Sequence, residues 1–167
     1  MPSSSPARPF SDAYLVAYSE EHVVYEFDMF LWLAHVCGSG AKLGAHSTED
    51  AVRLGNALIE SFVAHLRNVI NFLYPESLEG TDVVAADFFA PGVWKRLRPK
   101  ISGTLKTARV RANKEMAHLT TARITGSPPE KAWDYSKLAT EIRPLMRLVA
   151  RNASAGRLSP RVSAVIR

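Results

Sequence analysis

A single cysteine, Cys37, stands among 167 residues, so no disulfide can form within the chain and no cysteine-based metal site exists. Such sparse cysteine usage predicts a reducing, intracellular compartment. Apolar runs are also short. The longest, FDMFLWLAHVC at 27–37, falls below membrane-spanning length and carries Asp28 and His35. The opening MPSSSPARPF lacks the apolar stretch of a signal peptide. A cytoplasmic protein with no membrane contact is the expectation. Phosphate-binding loops, GxSxG elbows and dinucleotide fingerprints are absent, which excludes the common nucleotide-binding and hydrolase classes. His22, His35, His46 and His65 show no ligand spacing, so neither a metal nor a cofactor is expected. Nothing repeats, and no alternation of period two marks a strand.

Charge is present in quantity and unevenly placed. Residues 1–94 hold four Lys/Arg against twelve Asp/Glu, a net −8. Residues 95–123 reverse this with nine cations against Glu115 alone, and residues 124–167 add a further +5. An acidic front and a basic back attract polyanions, nucleic acid foremost, or an acidic protein partner.

Helical periodicity organises the chain. Ser19, followed by Glu20 and Glu21 at the positive end of the dipole, predicts the start of a first helix, and the GSG at 38–40 its end. A second runs from Ser47, paired with Asp50 in a box-like cap, to Pro75. Val52, Leu58, Ile59, Phe62, Val63, Leu66, Val69, Ile70 and Leu73 share its apolar face. A long irregular segment, 75–103, contains short helical turns near 82–89 and 92–97. A third helix spans about 104–124. A fourth spans about 130–153, with Pro144 expected to kink or divide it.

The fold class predicted is therefore all-α: a four-to-five-helix bundle with a long irregular loop between helices two and three. The divisions expected are a flexible arm at 1–18, the bundle at 19–153 and a basic tail at 154–167.

Helix one is apolar nearly all round. Val23, Val24, Phe27, Phe30, Leu31 and Ala34 form a core face, while Tyr25, Met29, Trp32, Leu33 and Val36 make the other side apolar too. Such a helix is either central in its bundle or covered by a partner. Tyr25, Met29, Trp32 and Val36 thus form an expected homodimer interface, with cover by the 75–103 segment as the alternative.

Three places invite chemistry. His65, beside Arg67 and Asn68 on the border of the second apolar face, reads as a half-buried, hydrogen-bonded histidine. In WKRLRPK, 94–100, Trp94 either stacks on a base or anchors the loop to the core, while the charges meet a polyanion. Lys95, Arg96, Arg98 and Lys100, with Arg109 and Lys114, are the expected nucleic-acid contacts. In RANKEMAHLT, 111–120, Arg111, Glu115 and His118 line one flank of helix three, beside its core face of Leu105, Ala108, Ala112, Met116 and Leu119. Arg111 and Glu115 can form a surface ion pair, with His118 capping a neighbouring carbonyl. Alternatively, the flank binds RNA.

An Arg followed after four to six residues by a His, on a helix of an all-α bundle, resembles the HEPN superfamily. Here the gap is six, and the HLRN of 65–68 is similar to segments of such proteins. The resemblance implies a metal-independent endoribonuclease of defence or toxin type. Arg111 would bind the scissile phosphate and His118 serve as general acid or base. The competing class is a catalytically silent helical module that binds a protein partner or nucleic acid.

Overall fold

A computed structural model describes residues 10–40, 44, 47–116 and 132–166. Among them every regular element is helical. The order is α1 (Asp12–Tyr18), a π-helical turn (Ser19–Val23), α2 (Val24–Ser39), α3 (Thr48–Leu73) and a 3-10 turn (Ala85–Phe88). Next come α4 (Val93–Leu97), α5 (Gly103–Arg111), a second π-helical turn (Ala112–Met116), α6 (Tyr135–Asn152) and α7 (Arg161–Val165). None of these helices is long and apolar enough to cross a membrane.

The first helix begins eight residues earlier than its sequence suggests. Ser11 is the cap, its hydroxyl accepting from the Tyr14 amide at 3.2 Å, and Leu15 is 2% exposed in the core. Tyr18, Ser19, Val23 and Val24 all hold right-handed helical dihedrals, so the chain winds without a break from Asp12 to Ser39. Residues 12–18 are therefore scaffold and not an arm. Ser19 had the composition of a cap, but its buried hydroxyl is used elsewhere: it donates to the Val16 carbonyl and accepts from the Ser159 amide, both at 2.9 Å. Gly40, at φ +63°, closes the helix with the left-handed cap that its missing Cβ makes inexpensive.

That bond from Ser159 also corrects the basic tail. Residues 154–166 return to the bundle, with the Ser154 amide donating to the Phe88 carbonyl at 2.8 Å and Arg157 pairing with Asp12 at 2.8 Å. Val162 and Ile166, at 0% and 2% exposed, complete the core. Helix α2 packs against α3, α6 and α7, and this central position accounts for its two apolar sides. The 75–103 segment is a packed strap: Val84, Ala85, Phe88, Phe89 and Trp94 are all buried.

Helix α3 starts at its Ser47 cap, which accepts from the Asp50 amide at 3.1 Å, and buries Phe62, Val63, Leu66, Val69, Ile70 and Leu73. Val52, placed on the same face by periodicity, is 59% exposed, since the first turns of α3 extend past the core. Helix α6 begins at Tyr135 behind its Asp134 cap and is not divided by Pro144. Proline removes the donor to the carbonyl four residues back and clashes with it. Thr140 and Pro144 both lie on the exposed side of α6.

Candidate functional site

Helix α5 is set by its cap. The Ser102 hydroxyl accepts from the Leu105 amide at 3.1 Å and donates to Glu141 of α6 at 2.5 Å. With the helix so oriented, Leu105, Ala108 and Ala112 enter the core. Arg109 is carried in with them. It is 8% exposed, and its Nη1 donates to the Tyr74 carbonyl at 2.9 Å while Nη2 pairs with Glu76. Arg98 donates to the Leu73 carbonyl at 3.0 Å and lies 4.7 Å above the Tyr74 ring. Trp94 Nε1 reaches that same Leu73 oxygen at 3.1 Å, and its ring stacks on Phe89.

Three donors thus converge on the last carbonyls of α3. Those carbonyls have no partner within the helix and sit at its negative dipole end, which draws N–H donors and positive charge. Arg109, expected on a nucleic-acid surface, is a buried cap, and Arg98 is half-buried in the same role. Trp94 anchors the strap. Lys95, Arg96, Lys100 and Lys114 remain exposed.

Arg111, two residues beyond Arg109, turns to a different neighbour. Its guanidinium lies 4.0 Å over the Trp133 ring, and Nη1 donates to the Ala132 carbonyl at 3.3 Å. Stacking against an aromatic face is an Arg property that Lys does not share. The Tyr135 phenol is close by: burial pushes its pKa up from near 10, Cys37 adds to that, and the Arg111 charge opposes it. Burial likewise pushes the Cys37 thiol up. His118 lies outside the described residues, as does the Glu115 side chain, so the expected pairings with Arg111 fall there too.

After Arg111 the helix widens into the π-helical turn, which carries Asn113 to another surface. There a cleft of about 620 Å³ is walled by both π-helical turns, the second half of α3 and the loop after it. Turns of this kind recur at functional sites. Within the cleft Glu26 stands 2.8 Å from His65 Nδ1 and accepts from Asn68 Nδ2 at 3.1 Å. His65, 8% exposed, is thus the hydrogen-bonded histidine that its position suggests. His22 and the exposed Arg67 also line the cleft, and the buried Asn113 Oδ1 has no hydrogen-bond partner among the described residues. Sequence reasoning did not bring His22, Arg67 and Asn113 together, because only the fold makes them neighbours.

The expected dimer face is divided. Tyr25 and Trp32, at 53% and 47% exposed, point outward, Met29 is half-buried, and Val36 is 8% exposed within the chain's own core. Val36 is therefore not available to a partner. The packing of α2 against α6 and α7 takes up that side of the helix. Among the described residues no cluster of three or more His, Cys, Asp or Glu is placed to hold a metal ion.

Comparison with protein-family models, curated proteins and solved structures finds no match to this chain.

Proposed function

We propose that this chain is a HEPN-like, metal-independent endoribonuclease of defence or toxin type. The supporting observation is the way Arg111 is held. The Trp133 ring fixes the plane of the guanidinium and the Ala132 carbonyl fixes its rotation. A pre-set guanidinium plane is what in-plane recognition of a phosphate requires. In the reaction His118 takes the proton from a ribose 2′-hydroxyl, and the 2′-oxygen attacks the adjacent phosphorus. Negative charge accumulates on the phosphate oxygens beside Arg111, and the 5′-oxygen leaves with a proton from solvent water, to which His118 returns the one it took. The products are a 2′,3′-cyclic phosphate and a 5′-hydroxyl, with no metal taking part.

The test is incubation of end-labelled RNA and the matching DNA with the protein in EDTA. Wild type is expected to cut RNA alone, and His118→Ala to lower the rate by about 10²–10⁴-fold. Arg111→Ala that remains folded is expected to lose comparable activity. Equal cleavage by wild type and both variants would refute the assignment.

A second reading, a catalytically silent binding module, is favoured by the use of Arg98 and Arg109 as helix caps. Salt-sensitive RNA binding without cleavage would establish it. In either reading, the exposed Tyr25 and Trp32, two turns apart on α2, offer a second copy its contact. Light scattering on wild type and on Tyr25→Ser/Trp32→Ser measures whether they form a dimer.

A further inference from the structure

His65 is held more closely than its burial requires. Glu26 of α2 reaches across to α3 and stands 2.8 Å from the histidine Nδ1, while its other oxygen accepts from Asn68 Nδ2 at 3.1 Å. Asn68, one turn along α3 from His65, thus fixes the carboxylate that fixes the imidazole. Tyr25 closes another side, edge-on, with ring centroids 5.4 Å apart. A carboxylate at Nδ1 keeps the ring proton there, which leaves the lone pair on Nε2. Nε2 has no hydrogen-bond partner among the described residues and is not sealed in, since the side chain is 10% exposed. So small an opening suits a water molecule better than the ribose of a strand. A carboxylate, an oriented imidazole and an open Nε2 together make a general base for water.

The cleft beside this pair is built for a small phosphate ester. Glu26 and Asn68 line it, and its volume of about 620 Å³ lies in the range of small-molecule sites. Val23, Phe27, Val69 and Phe72 give it apolar surface for the flat of a nucleobase, and the exposed Arg67 gives it positive charge for phosphate oxygens. The carboxylates that line it are already engaged. Glu26 holds His65 and Asn68, Glu76 pairs with Arg109, and Asp82 Oδ2 accepts from the Glu79 amide at 2.7 Å.

We propose that this cleft hydrolyses 2′,3′-cyclic phosphates, with His65 as the catalytic base and Glu26 as its positioning residue. Nε2 takes a proton from water, and the water oxygen bonds to phosphorus. The bond between phosphorus and the 2′-oxygen breaks. The imidazolium then returns its proton to that oxygen, leaving a 3′-phosphate. One imidazole serves both transfers, and nothing is oxidised or reduced. Arg67 meets the charge that builds on the phosphate oxygens. Among RNA phosphodiesters the five-membered ring is the one that a site with a single base can open, because its ring strain is released in the step. The hydrolysis stands on the geometry of the cleft. Only the supply of its substrate, the ends left by the cleavage above, rests on the ribonuclease reading.

The probe is 2′,3′-cyclic CMP, followed by phosphorus NMR with the full chain. Wild type is expected to form cytidine 3′-phosphate, and His65→Gln to lower kcat by about 10²–10⁴-fold. His118→Ala is expected to hydrolyse the probe as wild type does. Glu26→Gln tests the positioning. Asn68 already donates to one oxygen, so the new amide keeps its oxygen there and turns its NH₂ toward Nδ1, which drives the ring proton to Nε2. The expected result is a fall in kcat of up to about 10⁴-fold with KM little changed, the scale on which a wrong tautomer acts. Nitrogen-15 NMR of the ring reads the tautomer directly, without turnover.

No product from wild type would overturn the proposal, as would equal rates from wild type and a folded His65→Gln. Should His65→Gln melt early in circular dichroism, Glu26→Gln decides: an unchanged kcat, or a wild-type ring already protonated at Nε2, would overturn it. Parallel digestion of RNA separates the two activities. Hydrolysis of the probe by a protein that leaves RNA intact refutes the ribonuclease and keeps the cyclic phosphodiesterase. RNA cleavage to cyclic ends that then persist keeps the ribonuclease and refutes the cyclic phosphodiesterase.

Discussion

Replacing Arg109 by Met tests whether the basic segment supports the scaffold or the surface. The substitution keeps side-chain bulk, removes the charge and leaves the Tyr74 carbonyl buried without its donor. A charge-assisted hydrogen bond to such a carbonyl contributes about 1.5–3 kcal/mol. The pairing with Glu76 adds less than about 1 kcal/mol, because the Glu76 side chain is 67% exposed and well screened. One effect acts in the opposite direction. Arg109 Nε is buried with no hydrogen-bond partner among the described residues, a cost of about 1 kcal/mol that disappears with the guanidinium.

The net expectation is a loss of about 2 kcal/mol, which for a chain of this size lowers Tm by about 4–8 °C. Differential scanning fluorimetry reads the shift, and urea unfolding at constant m confirms it as a change in stability. Glu76→Gln, which spares the carbonyl bond, is expected to move Tm by less than half as much. An Arg109→Met protein that melts with wild type yet binds RNA with a reduced salt slope would refute the reasoning. It would return Arg109 to the nucleic-acid surface.

Ser102→Ala removes the α5 cap together with the Glu141 contact, so a loss of about 1–2 kcal/mol is expected in denaturant unfolding; no change would mean that water replaces both. Pro144→Ala restores the donor to the Thr140 carbonyl in an exposed helix turn and is expected to raise stability by about 1–3 kcal/mol, read as a higher urea midpoint. Tyr18, Tyr74 and Tyr135 all have phenol pKa values raised above 10 by burial. The folded state therefore retains phenol protons that the unfolded state gives up, so stability holds below pH ~10 and falls as pH rises beyond it. Absorbance at the phenolate band should show three late-titrating tyrosines coincident with alkaline unfolding, and a smooth early titration would contradict their burial. Cys37, raised in the same way, should react with a disulfide reagent more slowly in the native protein than in urea at pH 8.

What could be read from sequence was what is local. The Ser47 cap, the apolar face of α3 beyond Leu58 and the short turns at 85–88 and 93–97 depend on residues within a turn of one another. Ser11–Asp12 and Ser19–Glu20 are equivalent as cap signals. The choice between them is made by the burial of Leu15 and by the Ser159 amide, which needs an acceptor 140 positions away. Val52 shows the same limit in reverse, since periodicity assigns a side and cannot tell where along a helix the core ends. The cations failed for a different reason. An arginine in a basic run reads as surface until the carbonyls it could cap are placed in space, and those of Leu73 and Tyr74 lie 25 and 35 residues from Arg98 and Arg109. Arg111 was legible as a residue at a helix border. Trp133, which decides its orientation, is reached only across a stretch of chain that no pattern connects.

The distribution of charge has a consequence that its sum conceals. By count, the excess of cations in 95–123 exceeds that in 124–167. By position the order changes, since Arg98 and Arg109 spend their donors on the end of α3 while Arg147 stays exposed on α6. A buried, capped guanidinium still contributes to the long-range field that draws a polyanion in, but it cannot release a counterion by touching a phosphate. If the chain binds RNA, attraction and contact fall to different arginines. Neutralising Arg98 should slow association at low salt and cost stability, whereas neutralising Arg147 should raise the dissociation rate and leave the fold intact. A kinetic measurement on the two variants, compared at two salt concentrations, distinguishes the arginine that steers from the arginine that holds.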